Sequence, residues 1–530
     1  MKKYIWGLIL AFSTSIFSLQ AEVRLPKMIS DGIVFQRNTE MKWWGYSDPN
    51  EHVVITFKNK QYKTHADTQG NWYVVIPAQP AGGPYQVTVN NITVNNVLIG
   101  DVFLCSGQSN MELPISRVMD LYKEQVAAYT NENIHYIKLP MNPDFHEAQY
   151  DVKNGICKWL TLMPSQAPSF SAVCYFFAKE YYNQYKVPVG IINSSIGGTP
   201  VESWISEDVI KQFPEYYNDL QICKNNEYVE SIQNLAKITR ENWIQVMNRA
   251  SSSSNSSDWR PVSLFSADWG FDGLRPINGL HLFRKEFNLT AEQAGSEAIL
   301  RMGCIVDADS IFINGHFIGS TSYQYPPRIY KVKASYLKPG KNIIDVRLIS
   351  YSGVPCFVPD KPYKLIFDKD EVSMKEGWTY QLAAKMPKMP EGITLYYKPC
   401  CLYNGMISPL LNFKFTAAVW YQGESNTGRY NDYAPLLKAL IGDWRNRLNA
   451  PNLPFAIIQL PCFMHPQSPE QAGWTGLKLA QKEVAETTPR TVLIETSDVG
   501  EWNDIHPLNK EIVGNRIVNK LNTLISPKSK

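Results

Sequence analysis

The chain has 530 residues, too many for one compact core, and at ~100–200 residues per domain it divides into about three. Its 44% hydrophobic and 19% charged content is that of a folded protein, which excludes a disordered, collagenous or coiled-coil chain. The net charge of +3 comes from 52 basic and 49 acidic residues with no basic run among them, so the footprint of a nucleic-acid-binding protein is missing.

Lys2 and Lys3, the apolar stretch 4–17 and Leu19-Gln20-Ala21 read as an export signal over residues 1–21, cleaved before Glu22. This predicts a periplasmic or secreted chain with no membrane span once the signal is removed. Nine cysteines at irregular spacing, without a C-x-x-C pair, read mostly as buried thiols; with eight scattered histidines they form no metal pattern, and neither a metal nor another cofactor is expected.

From 22 to 97, alternating runs at 52–57, 72–76 and 85–89 between turn signals at 68–71 and 81–84 predict an N-terminal β-sandwich. The run 97–104 is apolar throughout, as in a parallel strand buried on both faces, and leads through Ser106-Gly107-Gln108-Ser109-Asn110 into a helix. A helical pattern over 172–182 precedes a second buried strand at 187–193, and this alternation predicts a three-layer α/β core. Residues 215–249 read as helical and 251–257 as a Ser/Asn-rich linker. Alternating strands then return at 284–289, 310–313 and 343–348, with a hairpin turn at Asn314-Gly315. Buried strands resume at 415–421, 455–460 and 491–495. The organisation is one α/β domain, 98–258 and 371–530, interrupted by a β-domain at 259–370.

Four segments that follow buried strands carry small and polar residues, and open parallel sheets bind ligands beyond the carboxyl ends of their strands. Ser109 lies where a helix begins, a setting that exposes a nucleophile and turns the N–H of Ser109 or Asn110 toward a developing oxyanion. Taken alone, it is more simply a helix N-cap. Gly197 and Gly198 permit close backbone approach, for an oxyanion hole or for a tight turn. Gln422 offers an amide donor and Glu424 an orienting carboxylate, and both residue types also satisfy strand ends. Asp504-Ile505-His506 sets a carboxylate two residues before a candidate general base.

Together, Ser106-Gly107-Gln108-Ser109-Asn110-Met111-Glu112, Gly197-Gly198-Thr199 with Glu202 and Trp204, Leu402-Tyr403-Asn404-Gly405-Met406-Ile407, Trp420-Tyr421-Gln422-Gly423-Glu424-Ser425-Asn426 and Asp504-Ile505-His506-Pro507 resemble the blocks of sialate O-acetylesterases. These belong to the SGNH (GDSL-like) hydrolase superfamily. The resemblance implies a three-layer, flavodoxin-like hydrolase domain, a leading β-sandwich and an insert like a galactose-binding jelly roll. It implies Ser109 as nucleophile and His506 as base. The oxyanion would be held by the N–H groups of Ser109 and Gly197 or Gly198 and by the Gln422 side chain, with Gln108, Asn110 and Glu424 binding or orienting. The superfamily's acid, three residues before the histidine, falls here on Asn503. Asp504 is the assigned orienter, with Asp498 or a Ser–His dyad as alternatives.

The implied reaction is hydrolysis of O-acetyl esters of sialic acid, at the 9-position, through an acetyl-serine. Acetylxylan esterases share the Gly-Gln-Ser-Asn and Gln-Gly-Glu signatures, so acetylated polysaccharide is the alternative substrate. A non-catalytic glycan-binding protein using the 12% aromatic content is a third reading. As base, His506 is expected to titrate near the ordinary histidine value of about 6.5.

Overall fold

The computed structural model describes residues 22–252 and 258–525 and is a mixed α/β structure. The export signal at 1–21, and all but the first two residues of the Ser/Asn-rich stretch 251–257, lie outside the described residues.

The central sheet uses strands β1 (Ile92–Gly107), β2 (Asn131–Lys138), β3 (Leu160–Leu162), β4 (Val189–Ser195), β5 (Ala417–Tyr421), β6 (Phe455–Ile458) and β7 (Thr491–Ile494), in the order β7-β6-β5-β1-β4-β2-β3. Every neighbouring pair is parallel except β2 with β3. The inner strands are apolar throughout because helices cover both faces. Phe103, Cys105 and Tyr421 pack with helices Ala172–Tyr185 and Lys510–Leu521 on one side. Leu104 and Trp420 pack with Tyr430–Arg447 and Gln471–Thr487 on the other.

The expected division between residues 97 and 98 falls inside β1, one continuous strand of 16 residues. Its first part pairs with Gly82–Val89 of the N-terminal β-region, and its last part with β4 and β5. No turn interrupts it, so the N-terminal unit and the α/β core share a strand instead of being joined by a linker.

The inserted unit has a six-stranded and a four-stranded sheet around a core that includes Trp269, Phe283, Tyr363 and Trp378. The Asn314-Gly315 turn joins Ala308–Ile313 to His316–Thr321, as expected. The unit does not end at 370, however: Trp378–Met386 pairs antiparallel with Asn278–Leu289. A register shift between Leu280 and His281 breaks the in–out alternation of that pairing, which hid the strand in the sequence. The helical stretch 215–249 is two helices, Pro214–Cys223 and Asn226–Ser252. All nine cysteines are free thiols, six of them buried. Among the described residues, no helix is long and apolar enough to cross a membrane.

Gly107 ends β1 with φ at +132°, and a Cβ there would lie 2.1 Å from the Tyr421 carbonyl oxygen. Only glycine lets β1 and β5 run this close just before the Gln108–Ser109 turn. Gly107→Ala is therefore expected to destabilise the protein by more than ~1 kcal/mol, read as a lowered thermal midpoint.

Candidate active site

The segments after β1, β4, β5 and β7 meet at one edge of the sheet. From β1 the chain turns through Gln108, whose N–H donates to the Tyr421 carbonyl at 3.0 Å, into the single helical turn Ser109–Glu112. The Gln108 side-chain oxygen accepts from the N–H groups of Gly423 and Ser425, both at 3.3 Å, and so ties the β1 exit to the β5 exit. The β4 exit is held by the Ile196 N–H on the Gly107 carbonyl at 3.1 Å and by the Ser425 hydroxyl on the Gly198 carbonyl at 2.7 Å.

At the centre lies Asn110, with no solvent exposure. Its amide donates to Glu424 Oε1 at 2.6 Å and to the Ile505 carbonyl at 2.9 Å, and its oxygen accepts from Lys510 Nζ at 2.5 Å. One side chain thus fixes the Ser109 turn, the β5 exit and the histidine loop relative to each other.

These segments enclose a cavity of about 700 Å³ whose wall includes Gln108, Ser109, Gly197, Gly198, Glu424 and His506. Ser109 and His506 both line this cavity, with no hydrogen bond between their side chains among the described residues. The backbone N–H groups of Ser109 and Gly198 donate to no acceptor among the described residues, and both are free to hold an oxyanion. Gly198 reaches its position through φ of +76°, where a Cβ would strike the Tyr397 hydroxyl at 1.9 Å. Four tyrosines, Tyr323 and Tyr325 from the insert with Tyr396 and Tyr397, complete much of the wall.

The geometry departs from the expected roles at four positions. The Gly197 N–H already donates to Glu112 Oε2 at 2.6 Å, and Glu112 is held in turn by Lys138 at 2.5 Å. Gln422 is fully buried behind the cavity, and its amide donates to the Thr199 carbonyl and to Asn426 Oδ1. Its hydrogens are committed to bracing the loop, so it does not serve as an oxyanion donor in this arrangement. Asp504 accepts from the backbone N–H of His506 at 2.9 Å, not from its ring, and its other oxygen pairs with Lys361 of the insert at 3.1 Å. Asp498 is bound bidentately by Arg516, which holds it down to about 2 at the surface, away from His506.

His506 is 6% exposed, and its ring stands edge-on to Tyr325 at 5.4 Å between centroids. Nδ1 is sealed from solvent with no partner, which leaves Nε2 as the nitrogen facing the cavity. Burial, then the positive charges of Lys510 and Arg117, push its pKa down to about 3, far from the expected 6.5. The imidazole is therefore neutral, as a general base must be. Burial also lowers the fully buried Lys510 to about 8 and raises Glu424, whose Oε2 has no partner. Sequence reasoning missed Arg117, Lys138, Lys361 and Lys510, and gave no role to Glu112 although it closes the block that begins at Ser106. Glu112 and the three lysines meet their partners in other segments, and Arg117 has no side-chain partner among the described residues.

Residues 99–247 and 392–518, more than half of the chain, match the family described as carbohydrate esterase, sialic acid-specific acetylesterase. The chain belongs to this family. The unmatched gap between the two segments holds the β-insert of this sialic acid-specific acetylesterase family member. The chain is 30% identical over 216 residues to the human sialate O-acetylesterase, covering 36% of this chain and 40% of that protein. It is 31% identical over 189 residues to the mouse sialate O-acetylesterase, covering 32% and 34%. The match thus spans less than half the length of these curated relatives. Its fold is similar to that of a carbohydrate acetylesterase from Xanthomonas citri, with a TM-score of 0.58 and 22% identity over 95% of this chain and 75% of that one.

Asn110→Ala would leave Lys510 and Glu424 buried without their shared partner. A loss of stability of roughly 1–3 kcal/mol for each orphaned group is expected, together with loss of the cavity's shape. Chemical denaturation of the variant and of wild type checks this.

Proposed function

We propose that this chain is a serine esterase that removes O-acetyl groups from sialic acid, at the 9-position, through an acetyl-serine. The observation that carries the reading is the convergence on one cavity of the Ser109 hydroxyl, a neutral buried imidazole and two uncommitted backbone N–H groups. In this reading the parallel sheet with helices on both faces is an SGNH hydrolase core, and the two-sheet insert is a jelly roll that supplies aromatic wall.

His506 Nε2 takes the Ser109 proton as the oxygen attacks the acetyl carbonyl, and the N–H groups of Ser109 and Gly198 hold the tetrahedral oxyanion. His506 then protonates the departing sugar oxygen. Water, deprotonated by the same nitrogen, releases acetate. Asp504 positions His506 through its main chain, and Asn110 and Glu424 keep the loops in register. The export signal read in the sequence would deliver this activity to the periplasm or the exterior. An esterase acting on acetylated xylan or another neutral polysaccharide is the second reading, since tyrosine faces suit any sugar ring.

Ser109→Ala is expected to abolish both acetate release and fluorophosphonate labelling; unlabelled wild type would instead favour a glycan-binding protein. Acetate release from 9-O-acetylated sialic acid against acetylated xylan decides the substrate.

The rate is lost as pH falls through the His506 pKa, because only the neutral ring accepts the proton. With that value at about 3, and Lys510, Arg117, Asp504 and Tyr325 around the ring, kcat/KM should stay level from about pH 7 to about pH 5. An acid limb centred near 6.5 would contradict this. Fold stability should decline over the same acid range, because the unfolded chain takes the histidine proton first. Circular dichroism in parallel separates the two effects.

A further inference from the structure

Arg117 ends the short turn Ile115–Arg117 on the wall of the cavity. Its side chain makes no hydrogen bond or ion pair with any described residue, and its Nε is shut off from solvent without an acceptor. None of the carboxylates around the cavity bonds to it. Glu112 holds Lys138 and the Gly197 N–H; Asp504 and Glu501 hold Lys361; Glu424 holds Asn110 through Oε1 and leaves its Oε2 without a partner. Polar groups in native proteins are mostly satisfied, so an arginine on the cavity wall that no described carboxylate pairs with is open to an anion entering the cavity. Its planar fork matches a carboxylate through two parallel N–H···O bonds. Arg117 is also close enough to His506 to be felt as positive charge there, so an anion on it would share the cavity with His506.

We propose that Arg117 is a specificity-determining residue that binds a carboxylate carried by the acetylated sugar, so that the cavity selects acidic over neutral acetylated sugars. This rests on the esterase reading above. Ser109 would define the ester position and Arg117 the acid position of one bound sugar ring, with the tyrosines against its faces. Lys138, already neutralised by Glu112, is not available for this role.

The test compares kcat/KM of wild type, Arg117→Gln and Arg117→Lys on three esters: 9-O-acetyl-N-acetylneuraminic acid, its C1 methyl ester, and 4-nitrophenyl acetate. Charge-assisted hydrogen bonds of this kind correspond to ~10–100-fold in affinity. Arg117→Gln should lose that factor on the free acid, mainly through KM, and change little on the other two. Arg117→Lys should recover part of it. An equal loss on all three esters, or no loss on the free acid, overturns the proposal. Calorimetric binding of N-acetylneuraminic acid to the same proteins reads Arg117 without chemistry, and equal affinity in wild type and Arg117→Gln also overturns it. Wild type that cleaves none of the esters defeats the esterase reading, and the calorimetry then still decides the role of Arg117.

Discussion

The Asn110 side chain is the point on which the candidate site depends. A carboxamide has one acceptor oxygen and two donor hydrogens, and here the oxygen and both hydrogens are used, on three residues of the segments after β5 and β7. The partners are a carboxylate, a main-chain carbonyl and an ammonium, so neither a carboxylate nor an ammonium at position 110 could serve all of them. With no exposure, the residue works where unmade hydrogen bonds are expensive, and the geometry it imposes on the Ser109 turn and the histidine loop is correspondingly stiff. The arrangement also places a cation, Lys510, behind the cavity wall without letting it into the cavity, where burial and that charge together keep the His506 imidazole unprotonated.

The insert is part of the site. Tyr325 closes on the edge of the imidazole, Tyr323 and Tyr325 form wall, and Lys361 joins the carboxylates of Glu501 and Asp504 on the histidine loop. Asn503, three residues before His506, donates to the Pro359 carbonyl of the insert at 2.8 Å. In this chain the loop therefore takes part of its support from the inserted unit.

Much of this was legible in the sequence for a simple reason: a parallel strand covered on both faces is apolar throughout, and polar residues just past its end stand out. That contrast marked Ser109, Gly198, Glu424 and His506, all of which reach the cavity wall. The roles of Gln422 and Asp504 were harder to read because a motif names a residue but not the direction of its side chain. The first turns inward to Thr199, the second to a main-chain N–H. Arg117, Lys361 and Lys510 carry no local signal, since Lys361 and Lys510 meet their partners 140 and 400 positions away and Arg117 has none among the described residues. The strand Trp378–Met386 was concealed by a bulge that upsets period-two patterning, and the N-terminal boundary by a strand serving two sheets at once.

The Lys361 bridge makes the inserted unit and the interrupted one mechanically answerable to each other. Excising residues 259–386 and rejoining the flanks would leave Glu501 and Asp504 as two adjacent anions with no cation between them. Their mutual repulsion would spread the turn that carries His506. The guest could therefore drift in sequence over most of its surface during evolution, but not at the lysine that holds its host's loop closed.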